Sequence, residues 1–348
     1  MGNSTEDSPR IVALGASAGG VEALSALFRA LPPKVNAAFF VVLHIPSHSA
    51  SQLHQVLAGT TGMAVAPARD GEPIRAGRVY VAQPDRHLMI GDGLVRLTRG
   101  PKECRARPSV DVLLRSVALH AGARAIGVIL SGALDDGSAG LWSIKDRGGV
   151  ALVQAPSEAG FASMPETALR HVAVDKVGTI EALAAEIVRL TQAPHAAPGA
   201  RAEPGSLALE SLIAGEGNAL QKGVLQLGIP SRYTCPDCHG VLVQIVEGTI
   251  VRFRCHTGHA FSIQTLLADV NDAIDNGLWA TIRAMEERLL LLRQLAALAR
   301  DQGAEPEMQG WDSQASHIES RIQSVRELVL DPAMFGPCES RERRPPAP

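Results

Sequence analysis

The sequence predicts an α/β fold, a doubly wound and mostly parallel sheet with flanking helices, followed by a small cysteine-bearing module and a C-terminal helical hairpin. Three observations carry the prediction. Short β-rich apolar runs alternate with longer amphipathic stretches over residues 10–192, the pattern of parallel strands joined by helical crossovers. Three of the five cysteines fall between Cys235 and Cys255, on either side of an alternating apolar run. Beyond them, apolar residues recur at three- and four-residue steps in two successive stretches, each an amphipathic helix in need of a partner.

Taken in order, strands are expected at Ile11–Leu14, Ala38–Leu43, Arg78–Ala82, Ala125–Leu130 and Val150–Gln154. Helices are expected at Val21–Leu31, Ser109–Ala121 and Ile180–Thr191, where apolar residues keep helical spacing. Residues 1–192 are read as one domain. From Gln192 to Gly205 the composition turns to Ala, Pro and Gly without periodicity, so 193–228 is read as a linker with a short helix near Leu207–Ile213. The cysteine module is assigned to 229–261. A long helix then sets Leu267, Val270, Ile274, Leu278, Ile282, Met285, Leu289, Leu292 and Leu295 on one seam. Gly303 and Pro306 interrupt it, and Ile318, Ile322, Val325, Leu328 and Val329 mark a returning helix, which completes a hairpin over 262–332. The Arg- and Pro-rich end, 333–348, is expected to be disordered.

Composition narrows the function. A net charge of −3 with 46% hydrophobic residues supports one large core and a smaller partner, without the basic excess of a nucleic-acid binder. No apolar run approaches the roughly 18 residues of a membrane span, and Met1 to Arg10 is polar rather than a signal-peptide core. A cytoplasmic protein without membrane insertion is expected. In that reducing compartment, clustered cysteines favour metal over disulfides, while the isolated Cys104 and Cys338 read as plain thiols.

The chemistry is expected at the ends of strands. Ile11–Leu14 runs into Gly15-Ala16-Ser17-Ala18-Gly19-Gly20 and then straight into a helix, so Ser17 occupies a tight strand-to-helix turn of the Gly-x-Ser-x-Gly kind. Glycines allow the turn, and N–H groups at the helix start can stabilise an oxyanion. A phosphate-binding turn is the competing reading, but the dinucleotide pattern wants glycine at Ser17 and an acidic residue closing the second strand. A serine hydroxyl needs a base, and the second strand ends at His44-Ile45-Pro46. His48, His54 and His87 are rivals that do not directly follow an expected strand. A carboxylate must orient the imidazole, and Ala125–Leu130 leads into Ser131-Gly132-Ala133-Leu134-Asp135-Asp136-Gly137, where Asp135 and Asp136 are both candidates. The order Ser, His, Asp differs from that of the α/β-hydrolases.

These residues resemble the chemotaxis receptor methylesterases, the CheB family, over roughly Ile11 to Leu190. The resemblance rests on the Gly15–Gly20 turn, His44-Ile45-Pro46, Val79-Tyr80-Val81-Ala82, Arg107-Pro108-Ser109-Val110-Asp111 and Ser131 to Gly137. It implies Ser17 as nucleophile, His44 as base and Asp136, the aspartate directly before glycine, as the acid. It also implies hydrolysis of glutamyl methyl esters on chemoreceptor cytoplasmic helices, deamidation of receptor glutamines, and no cofactor for catalysis. The chain departs from the family at Ala18, where threonine is common, at Ala133-Leu134, where a methionine-containing turn is usual, and at Ser163-Met164-Pro165, which stands for Gly-Met-Pro. Many members carry a receiver domain ahead of the esterase; here ten residues precede the first expected strand, so phosphorylation in cis is not expected. Arg96, Arg99, Lys102, Arg105 and Arg107, opposed by Glu103, form a basic run able to steer an acidic substrate.

Cys235-Pro236-Asp237-Cys238 and Cys255-His256-Thr257-Gly258-His259 flank an apolar hairpin, Val241–Val246 and Ile250–Phe253, and so read as a zinc-ribbon-like module. Cys235, Cys238, Cys255 and His259 are the expected ligands, with His239 and His256 as substitutes. Four protein ligands close the coordination shell, which makes the zinc structural. The module and hairpin are expected to bind a signalling partner or to self-associate. A non-catalytic adaptor that retains the esterase fold is the alternative, and a nucleotide-dependent enzyme is a more distant one.

Overall fold

The computed structural model describes residues 9–45, 51–193, 205–216 and 218–334. His48, Cys338, most of the stretch 193–204 and all but the start of the tail 333–348 lie outside the described residues. The chain forms two compact units, Met1–Thr265 and Leu266–Pro348.

The first unit begins with β1 (Arg10–Ala16), α1 (Gly20–Ala30), β2 (Ala37–Leu43), α2 (Leu53–Ala58), β3 (Ala64–Pro67) and β4 (Arg78–Val81). It continues through a hairpin, β5 (His87–Gly91) and β6 (Leu94–Thr98), to α3 (Val110–Ala121), β7 (Ala125–Ile129), α4 (Ser138–Asp146), β8 (Val150–Gln154), α5 (Ser163–His171), β9 (Lys176–Gly178) and α6 (Ile180–Gln192). Seven strands form one sheet in the order β3-β4-β2-β1-β7-β8-β9, and every pairing in it is parallel. Period-two alternation decides which layer each strand residue joins. Ile11, Ala13, Phe40 and Val42 face α3, α4 and α5, represented by Leu113, Leu141 and Met164. Val12, Leu14, Phe39 and Val41 face α1 and α6, represented by Leu27, Phe28 and Leu183. All five expected strands are present. The added β3 and β9 are short edge strands with little buried surface, and they carry correspondingly little apolar signal.

Within the same unit follow α7 (Gly205–Glu216), α8 (Ala219–Lys222), β10 (Ile229–Thr234), β11 (Val241–Glu247), β12 (Ile250–Cys255) and β13 (Ala260–Ser262). The last four strands make an antiparallel sheet in sequence order. This module is joined to the α/β layer through buried charge. Glu103 of the 100–107 loop pairs with Arg115 of α3 and, at 2.8 Å, with Arg254 of β12. Arg254 also meets Glu210 of α7 at 2.9 Å, and Arg252 grips both oxygens of Glu210 at 2.8 Å. All five residues are at most 3% exposed. Burial would raise both glutamates, but the arginines outweigh it and hold them below the ordinary carboxylate range. Around this lattice, Thr98 Oγ1 donates to Ala214 O at 2.7 Å, and a Cβ on Gly100 would lie 2.1 Å from the same carbonyl oxygen, so α7 packs against bare backbone.

The second unit holds the hairpin of α9 (Ile263–Asp301) and α10 (Glu305–Leu330). Its core joins Ile282, Leu289 and Leu292 to Ala315, Ile322 and Val329. At 26 residues against 39, α10 is too short to reach the first turns of α9, where Leu267 is 58% exposed. The expected seam also drifts near the turn: Leu295 is exposed while Ala296 and Ala299 are buried, as the 3.6-residue period requires when a near-heptad pattern runs on a straight helix. Among the described residues no helix is long and apolar enough to cross a membrane.

Two outcomes follow from how the module is attached. Glu210→Ala leaves Arg252 and Arg254 buried beside an uncompensated gap, and should lower unfolding free energy by about 3–5 kcal/mol in a urea titration. Ser262 Oγ of β13 donates to Asp135 at 2.8 Å. Burial pushes that carboxyl up from 3.8 to about 6, with the Ser262 bond opposing the rise. A folded pKa above the unfolded one contributes stability that is full below about pH 4 and is lost as pH rises through about 6. Asp135→Asn, which still accepts from Ser262, should therefore melt higher than the parent chain at pH 7 and match it below about pH 4.

Candidate active site

The parallel register places Ser17 and His44 side by side. Ala16 pairs with Leu43, so the next residue on each strand stands at the same carboxyl edge, and His44 N donates to Ala16 O at 3.2 Å. Beyond Ser17 the chain turns at Gly19, with φ at 69°, and enters α1 at Gly20. A Cβ on Gly20 would lie 2.6 Å from Leu43 Cδ1, so only glycine lets α1 start this close to β2. The turn is held from the loop after β7: Ser17 N donates to Ser131 O at 3.0 Å, and Ser131 Oγ donates to Ala18 O at 2.7 Å while accepting from Phe161 N at 3.0 Å.

The third expected residue comes from that same loop. Because β7 is the other neighbour of β1, Ser17, His44 and Asp136 follow three consecutive strands of the sheet. Asp136 Oδ2 accepts from His44 Nε2 at 2.7 Å and from Val110 N at 2.8 Å; Oδ1 accepts from Ser109 Oγ and Asp111 N, both at 2.9 Å. The carboxylate thus caps the N-terminus of α3, where unpaired amides and the helix dipole favour an anion. Burial would raise its carboxyl, but the His44 bond and the α3 amides outweigh burial and keep it below the ordinary range. With Nε2 committed to Asp136, Nδ1 is the ring nitrogen left for other work. Among the described residues Ser17 Oγ has no hydrogen-bond partner, so the structure joins His44 to Asp136 and sets Ser17 beside them.

The rivals go elsewhere. Asp135 turns to Ser262, and His87 is buried in β5, bonded through Nε2 to Pro101 O at 2.8 Å. His54 lies on α2. A cavity of about 380 Å³ opens beside His44, walled by Ile45, Leu134 and the loop residues Lys102 and Cys104 to Arg107. Of the basic run, Arg99 and Arg107 pair with Asp85, and Glu103 turns inward to Arg115 and Arg254 rather than opposing its neighbours. Two contributors were not singled out from sequence: Ser131, which clamps the turn at Ser17, and Ser109, whose hydroxyl reaches Asp136. Ser109, the first residue of the helix expected over Ser109–Ala121, is found instead as the residue that precedes α3.

Away from this edge, the Cys235, Cys238 and Cys255 sulfurs and a ring nitrogen of His259 all lie within 4.8 Å of one another. The Cys238–Cys255 and Cys255–His259 separations are 3.6 Å, and Cys235–His259 is 3.7 Å. A tetrahedral ion with bonds of about 2.3 Å to sulfur and about 2.0 Å to nitrogen has edges of about 3.5–3.8 Å, so the four fit a metal ion. His239 and His256 are not in the cluster.

The family model described as CheB methylesterase matches residues 12–187. A protein-glutamate methylesterase/protein-glutamine glutaminase of Anaeromyxobacter dehalogenans is 40% identical over 182 residues, 52% of this chain and 53% of that protein. A putative protein of the same description from Leptospira interrogans is 36% identical over 52% of this chain and 94% of its own length. The crystal structure of the Thermotoga maritima CheB methylesterase catalytic domain superposes with a TM-score of 0.51 at 30% identity, covering 53% of this chain and 99% of that domain. The chain spans about half the length of several curated relatives and nearly all of the Leptospira one. On a profile match over half its length and that near-complete coverage, the chain belongs to the CheB methylesterase family.

Proposed function

We propose that this protein is a serine esterase that hydrolyses glutamyl methyl esters on chemoreceptor cytoplasmic helices in chemotaxis-type signalling. The observation that carries the reading is the pair of buried Asp136 and half-buried His44 beside Ser17, at the carboxyl edge of three adjacent strands. Its substrate class rests on the printed names of relatives, protein-glutamate methylesterase/protein-glutamine glutaminase. The catalytic part is residues 1–192, and the protein works in the cytoplasm.

Ser17 Oγ attacks the ester carbonyl as Nδ1 of His44 takes its proton. The bond to the methoxy oxygen then breaks, and His44 returns the proton so that methanol leaves. Water, activated by His44, opens the acyl-serine to give the glutamate carboxylate and free Ser17. Asp136 holds the ring and stabilises its cation; a positioned base of this kind contributes about 10²–10⁴ in rate. Amides at the start of α1 receive the oxyanion. The missing Ser17–His44 bond is no obstacle, because such bonds commonly tighten only with substrate in place. Glutamine deamidation follows the same path, with ammonia as leaving group.

In the module, Cys235, Cys238, Cys255 and His259 hold a structural zinc ion, which supplies folding free energy to a segment too small for a core of its own. The hairpin of α9 and α10 serves a signalling partner or self-association.

Methanol release from methylated receptor fragments tests the reading. Ser17→Ala should lower the rate by about 10⁴ or more and Asp136→Asn by about 10³–10⁴. No release by the parent chain from any methylated receptor, or full release by Ser17→Ala, overturns it.

A further inference from the structure

The metal cluster and the substrate cavity share a wall. Two of the four ligands, Cys255 and His259, bracket the knuckle His256-Thr257-Gly258, and this knuckle sits on the 100–107 loop. Gly258, with φ at 104°, approaches so closely that an added Cβ would lie 2.7 Å from Pro101 Cγ. The residue after His259, Ala260, donates to Lys102 O at 3.2 Å and accepts from Cys104 N at 2.8 Å, so β13 pairs with the loop as with a strand. Between those two bonds, the Glu103 side chain is held by Arg254, the residue before Cys255, and Arg254 also donates to Gly258 O at 2.8 Å. Every anchor of the loop in the module is therefore adjacent to, or enclosed between, two metal ligands. The far side of the same loop presents Lys102, Cys104 and Arg105 to the cavity beside His44.

We infer that metal loading at Cys235, Cys238, Cys255 and His259 fixes the substrate-facing wall of the esterase, so that the module is a metal-dependent part of the receptor-binding cleft and not an appendage. The inference rests on the esterase reading for its substrate, though not for its structural content. Physically, an ion that closes the two turns sets the spacing of Cys255 and His259. With that spacing released, β13 and Arg254 lose their fixed positions, and the loop keeps only its anchors elsewhere, among them Glu103 to Arg115 and Pro101 to His87. The catalytic pair is held by α3 itself, with β13 reaching only the neighbouring Asp135, so the chemical step suffers less than substrate positioning.

The test uses the full chain, purified with its metal, then stripped by a chelator and reloaded with zinc chloride; Cys238→Ser, which lacks the most exposed thiolate, is the genetic counterpart. Metal analysis should find about one zinc per chain, and less than about 0.2 in the variant. Hydrogen exchange over 98–107 should quicken about tenfold or more on stripping, while amides of β1, β2 and β7 hold their rates, and zinc should reverse the change. KM for the methylated receptor fragment should rise about tenfold with kcat changed by less than about threefold. A chain that takes up no zinc overturns the inference. So does a stripped chain whose 98–107 exchange and KM stay unchanged, or one in which the central strands open to the same degree as the loop. If the parent chain releases no methanol, the esterase reading falls, and the exchange experiment still decides this one.

Discussion

The bond between Asp136 and the N-terminus of α3 is the constraint on which the site depends. A carboxylate 2% exposed is tolerable only if charge-assisted donors replace its water, and here the first two amides of α3, the Ser109 hydroxyl and His44 do so. Those donors come from two parts of the chain and the carboxylate from a third, so satisfying one anion aligns the end of β2, the loop after β7 and the start of α3. The sequence around it is shaped to permit this approach. A Cβ on Gly15 would lie 2.1 Å from Val110 Cγ1, and one on Gly137 would lie 2.7 Å from the same atom. The first glycine of the Gly-x-Ser-x-Gly turn thus serves helix docking as well as the turn.

The same logic of compensated buried charge joins the module to the sheet domain. Three arginines and two glutamates beyond the reach of water are a poor source of net stability, because desolvation absorbs most of the Coulombic gain. What such a lattice does supply is a single arrangement: any slip of α7, β12 or the 100–107 loop strands an ion in the interior. A purely apolar contact would tolerate that slip. Since the loop carries one face of the cavity, accuracy of placement is the property that matters there.

The sheet domain was legible in sequence because its strands are buried on both faces, so that Ile11–Leu14, Ala38–Leu43 and Ala125–Leu130 read as continuous apolar runs. Ser17 and His44 were legible for a related reason, His44 directly following such a run and Ser17 standing in the glycine turn just beyond one. The hairpin of β5 and β6 escaped, although Asp92-Gly93 at its tip, both with positive φ, is a recognised hairpin turn. Choosing between Asp135 and Asp136 was beyond local pattern, since adjacent carboxylates differ only in which way the chain turns them. The charge lattice was least visible of all: Glu103, Glu210 and Arg254 are separated by long stretches of chain, and Glu103 stood inside a run of basic residues that looked solvated. Nothing local marks a glutamate whose partner lies 151 positions away.

Three aspartates crowd this corner, and the fold gives them different protonation tendencies. Asp136 is held low by four donors, whereas burial, with Asp136 as a like-charged neighbour, pushes Asp111 up, and burial pushes Asp135 to about 6. Like charges in one dry region cannot all ionise cheaply, so the proton is shed where donors are richest. That residue is also the one bonded to His44. An anion fixed there accepts from Nε2, so it keeps hydrogen on that nitrogen and sets the neutral tautomer of the ring. Were Asp135 or Asp111 the carboxylate richer in donors, Asp136 would ionise later and His44 would have a weaker acceptor to orient it. The α3 amides therefore act at one remove from the ring, by making Asp136 the first of three neighbouring carboxylates to ionise.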